Sequence, residues 1–170
     1  MKLYKDNMAN ETPLMQFSVG QSHTIACTGR SGTFVWGWND YGQCAKDPFL
    51  VDEVIIRQSK NAQIDLQKFS RKQMLPDEQE KPVRAKQILA VEDRCIMQLQ
   101  DASTNDLIVF GGNERGQLGL GHYKDVYEPT RLTFFSKQNL VVSSFAAGGN
   151  LNLVATETGE AFAWPFTMQG

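Results

Sequence analysis

Groups that do chemistry are scarce in this sequence: its 170 residues include three cysteines and two histidines. Cys27, Cys44 and Cys95 form no C-x-x-C pair and no even disulfide framework, which excludes a dithiol redox motif and a disulfide-stapled fold. Their spacing fits no zinc pattern either. Free cysteines of this kind suit a reducing compartment, cytoplasm or nucleus. Charge of one sign is also lacking. The net charge is −2, so nothing overall drives the chain towards nucleic acid or an anionic membrane. No apolar run approaches the roughly 18 residues of a membrane span. The segment Met1-Lys2-Leu3-Tyr4-Lys5-Asp6 lacks the apolar core of a signal peptide. Without a secretory route, the acceptor pattern Asn10-Glu11-Thr12 reads as accidental.

What the sequence has is repetition. Trp36-Gly37-Trp38-Asn39-Asp40-Tyr41-Gly42-Gln43 recurs 74 residues later as Phe110-Gly111-Gly112-Asn113-Glu114-Arg115-Gly116-Gln117. A further 54 residues lead to a degraded copy, Trp164-Pro165-Phe166-Thr167-Met168-Gln169-Gly170. This third copy stops at its glycine, so the chain is expected to be a fragment of a longer protein. The upstream halves repeat too. Phe17 to Cys27 lies on Leu89 to Leu99 at a shift of 72, and on Phe145 to Ala155 after 56 more. That alignment puts His23, Cys95 and Leu151 in one slot, and Gly20 opposite Glu92. Each copy reads as two short strands, then an aromatic-glycine strand. A fourth strand is expected at about 49–56 and 130–135, after Pro48 and Pro129. Four short antiparallel strands per repeat of about 50–60 residues make a propeller blade. The fold expected is all-β: a partial β-propeller of four-stranded antiparallel blades. Residues 1–16 read as the tail of a preceding blade or a closing strand, 17–56 as a first blade and 57–84 as an insertion loop. A second blade follows at 85–135, and 136–170 form a truncated third.

The repeat assigns physical roles. A glycine after the aromatic lets a neighbouring backbone approach, and the large ring supplies apolar burial between blades. Asn39 and Asn113 can bond nearby backbone and hold a turn, while Gly42 and Gly116 take positive φ. Gly20, His23, Trp36, Gly37, Phe110, Gly111, Gln117, Leu118, Gly119, Trp164 and Gly170 complete the structural motif set. His122 reads as a solvated loop residue. The run Gly111 to Gly121 is glycine-rich, but it lacks G-K-[ST] before a helix and any βαβ setting, so it is not a nucleotide loop. Carboxylate pairs such as Glu92-Asp93 fall at turns without a partner histidine. No catalytic residue, metal ligand or cofactor is therefore assigned.

These motifs resemble the regulator-of-chromosome-condensation repeat. Its pattern is G-x-x-H-[ST], an apolar-x-[WF]-G-x-N strand, then x-x-G-Q-L-G and a later proline. Gly20-Gln21-Ser22-His23-Thr24, Trp36-Gly37-Trp38-Asn39 and Gly116-Gln117-Leu118-Gly119 carry the likeness. The resemblance implies a seven-bladed propeller, of which this chain fills less than half. It implies a non-enzymatic scaffold that binds other proteins, with cytoskeletal or ciliary assemblies among its settings. The alternatives it brings are guanine-nucleotide exchange on a Ran-type small GTPase, and substrate binding within a large ubiquitin ligase.

The segment 57–84 lies outside the repeat. It holds seven basic and four acidic residues, and Ile64, Leu66, Phe69, Met74 and Leu75 give it a weak apolar stripe. Long loops on rigid scaffolds often carry function. Lys68, Phe69, Arg71 and Lys72 are the candidate partner-binding residues, towards an acidic surface.

Overall fold

In the computed structural model, the described residues are 14–28, 32–55, 62–66, 69, 84–100 and 106–164. They form three antiparallel sheets in chain order. The first contains β1 (Leu14–Val19), β2 (His23–Thr28), β3 (Gly32–Trp38) and β4 (Glu53–Val54), with β5 (Gln63–Ile64) also on β3. The second contains β6 (Arg84–Val91), β7 (Arg94–Gln100), β8 (Leu107–Gly111) and β9 (Val126–Leu132). A single-turn helix, α1 (Phe134–Lys137), leads to the third, made of β10 (Val142–Gly148), β11 (Leu151–Thr156) and β12 (Ala161–Trp164). Each sheet is one blade, its strands in order from inner to outer. Strand β1 begins at Leu14, so the first blade starts before position 17. Residues 1–13 and the run Pro165 to Gly170 lie outside the described residues.

The core lies between blades rather than within them. Strands alternate their side chains between two faces, and each face packs on a neighbour. Ile25 is fully buried in the cluster joining the first and second blades. Ile96 is buried in the cluster joining the second and third. Strand pairing places Leu153 at the corresponding position of β11, and there it is 48 % exposed. The other end mirrors this. Ile88 and Phe145 are buried, whereas Phe17, their counterpart on β1, is 66 % exposed. Burying one such aliphatic side chain stabilises by about 2 kcal/mol. Blade contacts thus supply the stability that a lone sheet lacks.

The outer strands depart from the sequence reading. Phe49 and Leu50 are in a turn, not a strand, and β4 covers only Glu53–Val54 against Trp38 and Gly37. The rest of that outer edge is taken by β5, where Ile64 pairs with Thr33. Part of the expected insertion loop is therefore sheet. Ala62, Ile64, Leu66 and Phe69 are all buried in the first cluster. In the second blade Pro129 lies inside β9 instead of before it, tolerated because β9 is an edge strand.

The register of the second copy also differs by one residue. His23 pairs with Gly37, and Arg94, not Cys95, pairs with Gly111. Cys95 faces Phe110 as Thr24 faces Trp36. Val91, not Glu92, occupies the position of Gly20, while Glu92 sits in the turn at φ 50. The slip arises because the second copy has no glycine at the motif position to mark the turn. A one-residue slip exchanges the two faces of a strand, so it changes which residue reaches the next blade.

Candidate interaction face

The turns after β1, β6 and β10 and the loops after β3 and β8 share one end of the blades. Gly37 and Gly111 make this end compact. Their φ values are 117° and 105°, and a Cβ at either would lie 2.7 Å from the Cα of His23 or Arg94. Only glycine permits that approach. The next residues turn back across it: Trp38 N donates to Ser22 O at 3.0 Å, and Gly112 N to Asp93 O at 3.0 Å.

Two equivalent asparagines then fix the loops. Asn39 Oδ1 accepts from Cys44 N at 2.9 Å, while its Nδ2 donates to Lys46 O at 3.1 Å and Val51 O at 2.6 Å. Asn113 Oδ1 accepts from Leu118 N at 2.8 Å, and its Nδ2 donates to His122 O and Lys124 O. Both asparagines are fully buried. Gln43 Oε1 accepts from Tyr41 N and Gln117 Oε1 from Arg115 N, at 2.8 and 2.9 Å. Gly42 and Gly116 close these turns at φ 76° and 75°. Buried asparagines with both amide oxygen and nitrogen engaged hold a loop in one shape. Leu118 is buried between the second and third blades, and Gly119, at φ 70°, lies against Trp164.

Beneath the face, a polar contact repeats at each blade junction. His23 Nε2 lies 3.1 Å from Cys95 Sγ, and Arg94 Nη2 donates to Asn152 Oδ1 at 3.1 Å. Each first partner fills the slot of His23, and each second fills the slot of Thr24, one blade on. The second partners repeat as well: Cys95 Sγ approaches Gln43 O, and Asn152 Nδ2 donates to Gln117 O at 2.6 Å. Burial lowers His23 to about 4, opposed weakly by a backbone hydrogen bond at Arg94. Burial also raises Cys95, and it pushes Cys44 up to about 12 with a smaller push from Glu53. The pair is therefore neutral imidazole and neutral thiol near pH 7, 2 % and 0 % exposed. It holds two blades together and offers no surface to a substrate. Arg94 has its pKa lowered by desolvation, and its Nε and Nη1 have no partner among the described residues. Asp93, half-buried beside it, is raised by burial. Sequence reasoning missed Arg94 because the hairpin from Arg94 to Gly111 spans three residues more than the one from His23 to Gly37.

The candidates of the 57–84 segment divide. Phe69 is 5 % exposed, and the Arg131 guanidinium lies 5.1 Å from its ring centre while donating to its carbonyl at 3.2 Å. Its ring is spent in the core and is not on offer to a partner. Lys68, Arg71 and Lys72 lie outside the described residues. His122 is exposed and caps its own loop through Lys124 N, at 3.2 Å from Nδ1. Among the described residues, no three His, Cys, Asp or Glu side chains gather as a metal site. No helix among them is long and apolar enough to cross a membrane.

Sheets set side by side, inner strands together and junctions repeated, define an arc of a β-propeller. The chain carries a match to the regulator of chromosome condensation (RCC1) repeat at residues 105–155. It is 28 % identical over 154 residues to the human RCC1-like G exchanging factor-like protein, covering 91 % of this chain and 29 % of that one. It is 24 % identical over 163 residues to the mouse X-linked retinitis pigmentosa GTPase regulator, covering 95 % of this chain and 14 % of that one. The crystal structure of human WBSCR16 superposes with a TM-score of 0.63 at 25 % identity, covering 91 % of this chain and 34 % of that one. The chain thus spans about a third or less of the length of these relatives.

Proposed function

We propose that this chain is a non-catalytic scaffold that binds other proteins through its loop face. The observation that carries this reading is the pair of asparagine-clamped loops on adjacent blades. They present exposed Phe49, Leu50 and Tyr123 on a rigid support. A fixed surface loses little entropy on binding. The test is complex formation by the full-length protein with and without substitutions in loops 39–52 and 113–125. A stable partner lost on loop substitution supports the reading, and a partner retained undiminished removes it.

A second reading is nucleotide exchange on a small GTPase, favoured by the relative named as a G exchanging factor-like protein. Nucleotide release from a panel of GTPases, Ran-type included, separates the two. Acceleration supports exchange, and a stable complex without acceleration supports the scaffold. Cytoplasm, nucleus and cilium are the proposed sites of action, the last from the likeness to the retinitis pigmentosa GTPase regulator, and imaging of a tagged full-length protein tests them. The basic part of 57–84 is proposed to meet an acidic partner surface. Because Ala62, Ile64, Leu66 and Phe69 supply core, the informative deletion is 70–83, and unchanged affinity would remove this element.

A further inference from the structure

The loop after β3 is two residues longer than its counterpart after β8, measured from Asn39 to Val54 and from Asn113 to Val126. The added length lifts Pro48-Phe49-Leu50 off the face. Phe49 is 87 % and Leu50 82 % exposed. They are held there rather than loose. Asp47 Oδ1 accepts from Phe49 N at 2.9 Å, and Asp47 O accepts from Leu50 N at 3.1 Å and Val51 N at 3.0 Å. Asn39 Nδ2 pins the carbonyls of Lys46 and Val51 on either side. The Phe49 ring meets Tyr127 of the second blade edge-on, centroids 6.5 Å apart. Tyr127 in turn lies over Gly42, where a Cβ would sit 2.8 Å from its Cα.

Beside this apolar knuckle, between the two blades, runs a cleft of about 710 Å³ whose walls include Lys46, Asp47, His122, Lys124, Tyr127 and Glu128. Asp47, Asp125 and Glu128 outnumber Lys46 and Lys124 along the cleft, and exposed Asp40, Asp52 and Glu53 add negative charge on the segment between β3 and the end of β4. The field there is acidic, although the chain as a whole is near neutral.

We infer that the cleft and the Phe49-Leu50 knuckle bind an extended segment of a partner protein, carrying a large apolar side chain flanked by lysine or arginine. The occupant is a peptide segment because the apolar contact stands outside the cleft, on a tip that a small molecule in the cleft would leave in water. The acidic surround selects the basic flanks. The fixed loop presents its two anchors without an ordering cost. Pro129 in the middle of β9 removes a backbone donor from that edge, so side chains carry the recognition rather than an added strand.

This inference rests on the interaction reading, and its test is separate. A phage-displayed library of random 12-residue peptides is panned against the full chain, and selected peptides are measured by fluorescence anisotropy. The expected motif pairs a large apolar residue with lysine or arginine. Phe49→Ser with Leu50→Ser lowers affinity by about tenfold or more, with thermal melting unchanged. Asp52→Asn with Glu53→Gln weakens binding by about two- to threefold and flattens its salt dependence. Selected peptides without basic bias, or affinity indifferent to Phe49 and Leu50, overturn the site. A library that yields nothing, while the full-length protein still forms a loop-dependent complex, overturns this site and leaves the interaction reading standing.

Discussion

At the junction of the first two blades an imidazole meets a thiol; at the next, a guanidinium meets an amide. The slots are the same. Both first partners lie under a glycine at φ above 100°, and both second partners approach the carbonyl of the loop glutamine before them. The chemistry differs. His23 and Cys95 meet as neutral groups, whereas Arg94 carries a charge into a site where it is 0 % exposed and two of its nitrogens have no partner among the described residues. The repeat therefore keeps the backbone geometry of the junction and lets the side chains that fill it change.

The largest expected effect tests the part the junctions share. Gly37→Ala and Gly111→Ala should each destabilise by about 3 kcal/mol or more, because a Cβ there meets strand backbone and the φ is unfavourable. Urea midpoints measure this, and a loss below about 1 kcal/mol at either site would break the equivalence.

The next effect separates the junctions by pH. His23 is held at about 4 when folded, below its usual 6.5. Its neutral form thus supports the fold above pH 6.5. As pH falls from 6.5 towards 4, the unfolded chain takes up a proton that the folded junction refuses. Stability drops by up to about 3 kcal/mol over that window. Arg94 keeps its charge throughout and adds no such slope. Chemical denaturation of wild type and His23→Gln at pH 7, 5.5 and 4.5 should show a steeper fall for wild type.

A smaller effect concerns the cost of the buried charge. Arg94→Met keeps the volume and removes the desolvated guanidinium. It should leave stability equal or raise it by up to about 2 kcal/mol, whereas Arg94→Ala lowers it by about 3 kcal/mol through the cavity. A marked loss with methionine would show that the Asn152 contact outweighs desolvation. The smallest effect lies on the face itself: Phe49→Ser should change stability by less than about 0.5 kcal/mol, since its ring is mostly in water. Differential scanning calorimetry reads both.

The blades were legible because aromatic, glycine, asparagine and glutamine recur in order, and the all-β arc follows from that order. The junction was not. Nothing in Glu92-Asp93-Arg94-Cys95 says which residue lies opposite Gly111, since the hairpin between β7 and β8 is three residues longer than the one before β3. The pairing of Gln98 with Leu107 settles it. Phe69 read as a surface anchor on the composition of its segment, yet its ring lies under Arg131. Long-range packing overrode a local pattern. The outer strand of the first blade was also unreadable in advance, because β4 and β5 share one edge with residues 55–62 between them.

The sequence alone determined that this is a repeat protein, that its chain turns at Gly42 and Gly116, and that its chemistry-bearing groups are few. Those properties depend on short-range steric and hydrogen-bonding rules that any copy of the motif obeys. Which residues join one blade to the next, which apolar groups are buried or displayed, and that Phe49 and Leu50 stand clear beside an acidic cleft were decided by the tertiary structure. Those properties depend on contacts between residues some 50 to 80 positions apart, as between His23 and Cys95 or Phe49 and Tyr127, where a one-residue change of register exchanges the side chain that meets the neighbour.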